Sequence, residues 1–198
     1  MGAESVASLG SSPDLAGLVA RLEVQRREAR DLIDPLDPQQ FNWRPGPDRW
    51  SVGQCLDHLN QTNGKLLPVL QQAGAAGRDR NQMASGPLRY GPVARWFRDS
   101  MKPEFTKPLR SPRIYRPAAS QLDMAQVADE FDRSLGALAR IIGQADGLDL
   151  AAIRAASPVS RFLRIPLGIW FESVVVHDDR HLQQARRVTA EPGFGQQV

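Results

Sequence analysis

The only histidines in the chain are His58, His177 and His181, and imidazole is the commonest side-chain ligand of protein-bound metals. His177 and His181 are four residues apart, so on a helix advancing about 100° per residue they leave one face at neighbouring levels, where one ion bridges both. On the same wheel Trp170, Val174, His177, His181, Gln184 and Val188 fall within about 80° of each other. Both rings therefore belong to the core-facing stripe. Two neutral imidazoles buried together leave ring donors and acceptors to satisfy, and burying the charged forms costs more. A divalent cation takes one lone pair from each ring, while the second nitrogen donates to a neighbouring acceptor that fixes the tautomer.

His58 falls about 60° from Cys55 and about 100° from Leu59, at the flank of another apolar stripe and within reach of a facing helix. It supplies a third nitrogen or sits as a boundary histidine bonded locally. Three protein nitrogens leave positions open to water or substrate, which distinguishes catalytic from closed structural sites. Acidified water there would attack an electrophilic carbon, and a thiol in the same position would become a thiolate, so hydrolysis and thiol transfer share the ion.

The pair is not the HExxH of zinc proteases, because Asp178 replaces the glutamate and no histidine follows to complete that site. Cys55, one turn before His58, reads as core. Asp57 and Asp178 each adjoin a histidine but point about 100° away, which predicts exposure. No catalytic residue is assigned. Gln54, Gln61 and Gln184 are better placed to orient a ligand ring or a water. Zinc, nickel, iron, copper and manganese all accept imidazole, so the ring set does not choose among them.

Four amphipathic helices must position these rings. Apolar residues recur at three- and four-residue steps from Pro13 to about Ile33, with Ser12 as cap and Pro35 and Pro38 as stops. FNWRPGPDRW follows as a connection anchored by Trp43 and Trp50, and Ser51 opens a second helix that runs to the glycines at 74 and 77. Residues 78–119 are irregular and proline-rich, with room for a short helix around Val93 to Met101, and read as a cover over one end. Ser120 caps a third helix through Ile142. A small-residue connection holding Pro158 leads to a fourth helix from about Pro166 to Val188. No convincing period-2 strand is present, so the fold class is all-α, a four-helix bundle with a long irregular connection between helices two and three.

The chain has 198 residues, 41% hydrophobic and 24% charged, which suits one domain. We divide it into a flexible leader over 1–11, the bundle over 12–189 and a flexible tail over 190–198. No apolar run approaches the roughly 20 residues of a spanning helix, and the start lacks a secretory signal, so no membrane partner is expected. One cysteine and no export signal point to the cytoplasm. The net charge of +3 is too small for a nucleic-acid partner, and the arginines between Arg78 and Arg116 sit among prolines on no regular face.

Two stretches carry a family resemblance. WRPGPDRWSVGQCLDHLNQ is similar to a segment ending in W-S-x-x-x-x-x-x-H-L, and HDDRHLQQAR to an H-x-x-x-H-x-x-Q, of the DinB-like superfamily, whose DinB and YfiT-type members are described as metal-dependent hydrolases. The resemblance implies an up-down-down-up bundle with a metal near one end, held by His58, His177 and His181, with Trp50 and Gln184 at the pocket. It also implies a small-molecule substrate and a homodimer. Zinc or nickel is the first expectation for the ion, iron or manganese the next, and some relatives act on thiol-linked substrates, which brings in a low-molecular-weight thiol. The alternatives to a hydrolase are thus a metal-dependent thiol S-transferase or isomerase, and a non-catalytic metal-binding stress-associated bundle.

Overall fold

The computed structural model describes residues 14–105, 112–117 and 119–195. Among them four long helices dominate: α1 (Leu15–Ile33), α3 (Val52–Asp79), α5 (Met124–Gln144) and α6 (Leu167–Thr189). Two short helices, α2 (Pro38–Asn42) and α4 (Pro92–Ser100), and a single 3-10 turn at Arg113–Tyr115 lie between them. Among the described residues no helix is long and apolar enough to cross a membrane.

The caps explain where the helices begin. Ser51 accepts from the Gln54 backbone N–H while the Gln54 side chain accepts from that of Ser51, a reciprocal capping box that starts α3 where the sequence predicts. The expected start of α1 at Ser12 and Pro13 lies outside the described residues, and Asp14 caps that helix through the Gly17 N–H. At α5 the cap is Asp123, not Ser120. The reason is Asn42, whose side chain binds both the N–H and the carbonyl of Leu122 and so occupies the backbone that an earlier helix start would need. Pro38 does more than stop α1: it is the first residue of α2, capped by Asp37. Nor does α3 end in its glycines. A Cβ at Gly77 would come within 2.3 Å of Ile153 Cδ1, so this glycine serves close packing and the helix continues to Asp79.

The connection before α6 contains a hairpin that the sequence reading did not predict: β1 (Arg154–Ser157) pairs antiparallel with β2 (Ser160–Pro166). Its inward pair, Ala155 and Ile165, is buried, whereas Arg161 to Arg164 are exposed in succession. A strand without a buried face along most of its length leaves no alternating pattern to read.

In the core α3 packs against α5 and α6, and α1 packs against the same two helices. Leu22, Leu56, Leu59, Phe131, Leu135 and Phe171 are fully buried at this junction, each stabilising by about 2 kcal/mol relative to exposure. Polar links fix the helix positions: Asn60 Nδ2 donates to Val127 O and Asn63 Nδ2 to Ser134 Oγ across α3 and α5, and Gln25 Nε2 donates to Val175 O across α1 and α6.

The contact that seats the start of α3 is tight. A Cβ on Gly53 would lie 2.5 Å from Phe41 Cε1 on α2. Gly53→Ala is therefore expected to displace Phe41 and lower stability by about 1–3 kcal/mol, measured by urea unfolding; Gly64→Ala, where the same Cβ meets nothing within 4 Å, is the control without a clash.

Candidate metal centre

α6 presents His177 and His181 one turn apart with ring centroids 4.6 Å from each other. His58, from the second turn of α3, stands 5.2 Å from His177 and 4.5 Å from His181 by the same measure. One nitrogen from each ring can be chosen so that all three lie within 4.8 Å of one another, a spacing that one ion can span. The Nε2 atoms of His58 and His177 are 3.3 Å apart.

Hydrogen bonds on the far side of two rings set their tautomers. His58 Nδ1 lies 2.6 Å from the Tyr115 carbonyl, which can only accept, so Nδ1 carries the proton and Nε2 a lone pair. His181 Nδ1 lies 2.9 Å from Gln184 Oε1, with the same consequence. The burial of His58 and His181 and the partial enclosure of His177 keep the rings neutral. Desolvation lowers His58, with the Tyr115 carbonyl opposing. It takes His177 down to about 3, helped by His58 and Arg180, and it holds His181 well below the ordinary imidazole value, helped by the other two histidines. Neutral rings with lone pairs turned inward are what a metal ligand requires.

Trp50 closes one side, its ring centred 5.7 Å from His181 in a stacked arrangement and 5.0 Å from His58. Gln184 thus lies at the site, bonded to a histidine. Gln54 spends its amide elsewhere, on the helix cap and on the Ala119 carbonyl, and Gln61 lies beside Asp57. Cys55 is buried, as expected of a core residue, and burial pushes its thiol up to about 12.

The two aspartates differ from expectation. Asp57 is buried and Asp178 is 0% exposed. The first turns of α3 are enclosed all round, and α6 has α1 on one flank and α3 on the other, so a residue turned about 100° from the histidine face still meets protein. Burial, with Asp179 adding to it, raises the Asp178 carboxyl well above the usual range.

Two contributors escaped the sequence reading. The Tyr115 carbonyl is a backbone atom and has no residue-type signature. Arg180 donates to the carbonyls of Ser100, Lys102 and Phe105, fastening the segment after α4 onto α6; its place between the histidines was the available signal.

These depressed values make metal-free stability pH-dependent. Below about 6.5 the unfolded chain binds protons at these histidines while the folded rings stay neutral, so the unfolded state holds more protons and stability falls as the pH falls. We expect the thermal midpoint of metal-free protein to drop between about pH 7 and pH 5, each ring adding up to about 1.4 kcal/mol per pH unit. Calorimetry on wild type and His177→Gln checks this, the variant showing the shallower slope.

No curated protein and no solved structure matches the chain. The sequence profile of the DinB superfamily does, over residues 21–185, an interval that contains every helix from most of α1 to most of α6 and all three histidines. The chain belongs to the DinB superfamily.

Proposed function

We propose that the chain holds one divalent metal ion through His58, His177 and His181 and acts as a metal-dependent hydrolase on a small molecule. The observation that carries this reading is the tautomer pattern: Nδ1 of His58 and of His181 each face an acceptor, leaving Nε2 lone pairs in a cluster of neutral rings. The ion, zinc or nickel in the first instance, would supply Lewis acidity to a water or thiol in its open positions. The protein's part is to orient the rings through the Tyr115 carbonyl and Gln184, to exclude solvent with Trp50, and to keep the rings unprotonated by burial. The same reading takes α1, α3, α5 and α6 as the family's up-down-down-up bundle. In support, Asn60 and Asn63 on α3 meet Val127 and Ser134 in the same order on α5, as the two successive down helices of that bundle require.

One observation favours thiol transfer as the second reading. Among the described residues the cluster contains three imidazoles and no carboxylate. A thiol, with an ordinary pKa near 8.5, needs far less help to ionise than water at about 15.7, so transfer works without a protein base.

Titration calorimetry with zinc and with nickel is expected to give one ion per chain for wild type and loss of that binding for His177→Ala. Gln184→Ala should bind about 10–100-fold more weakly, as expected when the partner that orients a ligand is removed. An unchanged affinity in His177→Ala would refute the ligand assignment. Activated esters and amides, tested beside thiol-acceptor substrates with and without a low-molecular-weight thiol, decide the reaction. Turnover that needs no thiol supports the hydrolase, turnover that requires one supports transfer, and metal binding without turnover supports a non-catalytic bundle.

A further inference from the structure

Seven large hydrophobic residues are exposed among the described residues, and six of them fall in two acid-free stretches. Residues 150–171 contain Arg154, Arg161 and Arg164 with no aspartate or glutamate, and expose Val159, Phe162 and Leu163. Residues 80–98 contain Arg80, Arg89, Arg95 and Arg98 without an acid of their own, although Arg98 pairs with Asp99 and Glu172 beyond the stretch, and they expose Met83, Val93 and Trp96. Phe162 is 83% exposed, Val93 77% and Trp96 54%. Isolated exposed apolar residues are ordinary, but a cluster of this kind marks a contact surface.

The two stretches are neighbours. Phe97 of α4 packs edge-on against Trp170 at 5.2 Å, and Trp170 Nε1 donates to the Ala155 carbonyl of β1. Tyr90, just before α4, presses on Gly168 at the start of α6, where a Cβ would meet its hydroxyl at 2.0 Å. The hairpin is rooted by Ala155 and Ile165 and leaves its far half exposed. Its arginines have no carboxylate partner among the described residues. Arg154 and Arg164 reach across to each other's backbone carbonyls, and Arg161 lies 4.9 Å over the Phe162 ring.

We propose that the hairpin tip and the outer face of α4 form a docking surface for an anionic lipid bilayer. Charge complementarity selects this occupant. The hairpin arginines, without a carboxylate partner among the described residues, favour an anionic surface, and the aromatic and aliphatic side chains beside them gain by entering its apolar boundary layer. A second copy docking isologously through the same patch would oppose like charges, since each of the three hairpin arginines would be duplicated across the axis. A nucleic acid would satisfy the arginines but leave Val159 and Leu163 without apolar cover. Docking of this kind is peripheral, so it revises the expectation of no membrane partner without calling for a spanning helix. The surface sits at the start of α6, about 15 Å of helix from His177, and leaves the histidine site uncovered.

The test is co-sedimentation of the full chain with phosphatidylcholine vesicles, with and without about 30% phosphatidylglycerol, at low and high salt. We expect binding to the anionic vesicles only, weakened by salt. It should fall about tenfold in Phe162→Ser and about fivefold per arginine in Arg161→Gln with Arg164→Gln. Both variants alter exposed side chains, so their helicity, thermal midpoint and metal stoichiometry should match wild type, which separates this outcome from that of the metal proposal. Equal binding to neutral vesicles, no binding to either, or unchanged binding in both variants overturns it. So does preferential binding of an oligonucleotide, or self-association abolished by Phe162→Ser.

Discussion

Three neutral imidazoles facing one another, two buried and the third half-buried, are expensive to enclose, and much of the surrounding architecture offsets that cost. Each ring has two nitrogens to satisfy, and in water both would be solvated. Inside this protein the outward nitrogens of His58 and His181 go to a carbonyl and an amide oxygen. The inward nitrogens are left to one another and to whatever enters between them. The helices bring the rings within reach, but the acceptors behind them determine which nitrogen faces inward.

That arrangement joins parts of the chain that are far apart in sequence. The start of α3 is fixed by its capping box and by Phe41 against Gly53. The turn carrying Tyr115 comes from the long connection, and Arg180 fastens the earlier part of that connection to α6 between its two histidines. α6 thus carries two of the three rings and also anchors the segment beside them. The cover expected from the proline-rich stretch is, in its described parts, a helix along α6 and a turn over His58.

The long helices and the histidine cluster were legible because their signals are periodic: apolar residues three and four apart, and two histidines one turn apart on the same stripe. Cap positions were less so. Ser120 and Asp123 both suit a cap, and Asn42, which decides between them by holding Leu122, lies eighty residues earlier. The hairpin was missed because β1 is only four residues long and β2 exposes four residues in succession, so neither carries a readable alternation. Asp57 and Asp178 were misplaced because a wheel describes one helix, whereas burial depends on how many neighbours surround it.

His58 is held in its tautomer by a main-chain oxygen, and that has a consequence for how this protein can change over time. An acceptor that belongs to every amino acid cannot be deleted by replacing the residue that bears it, so drift at position 115 leaves the imidazole's electronic character intact as long as the peptide path is kept. The corresponding support for His181 comes from a side chain and enjoys no such protection. The two rings therefore differ in their genetic fragility although their local chemistry is alike.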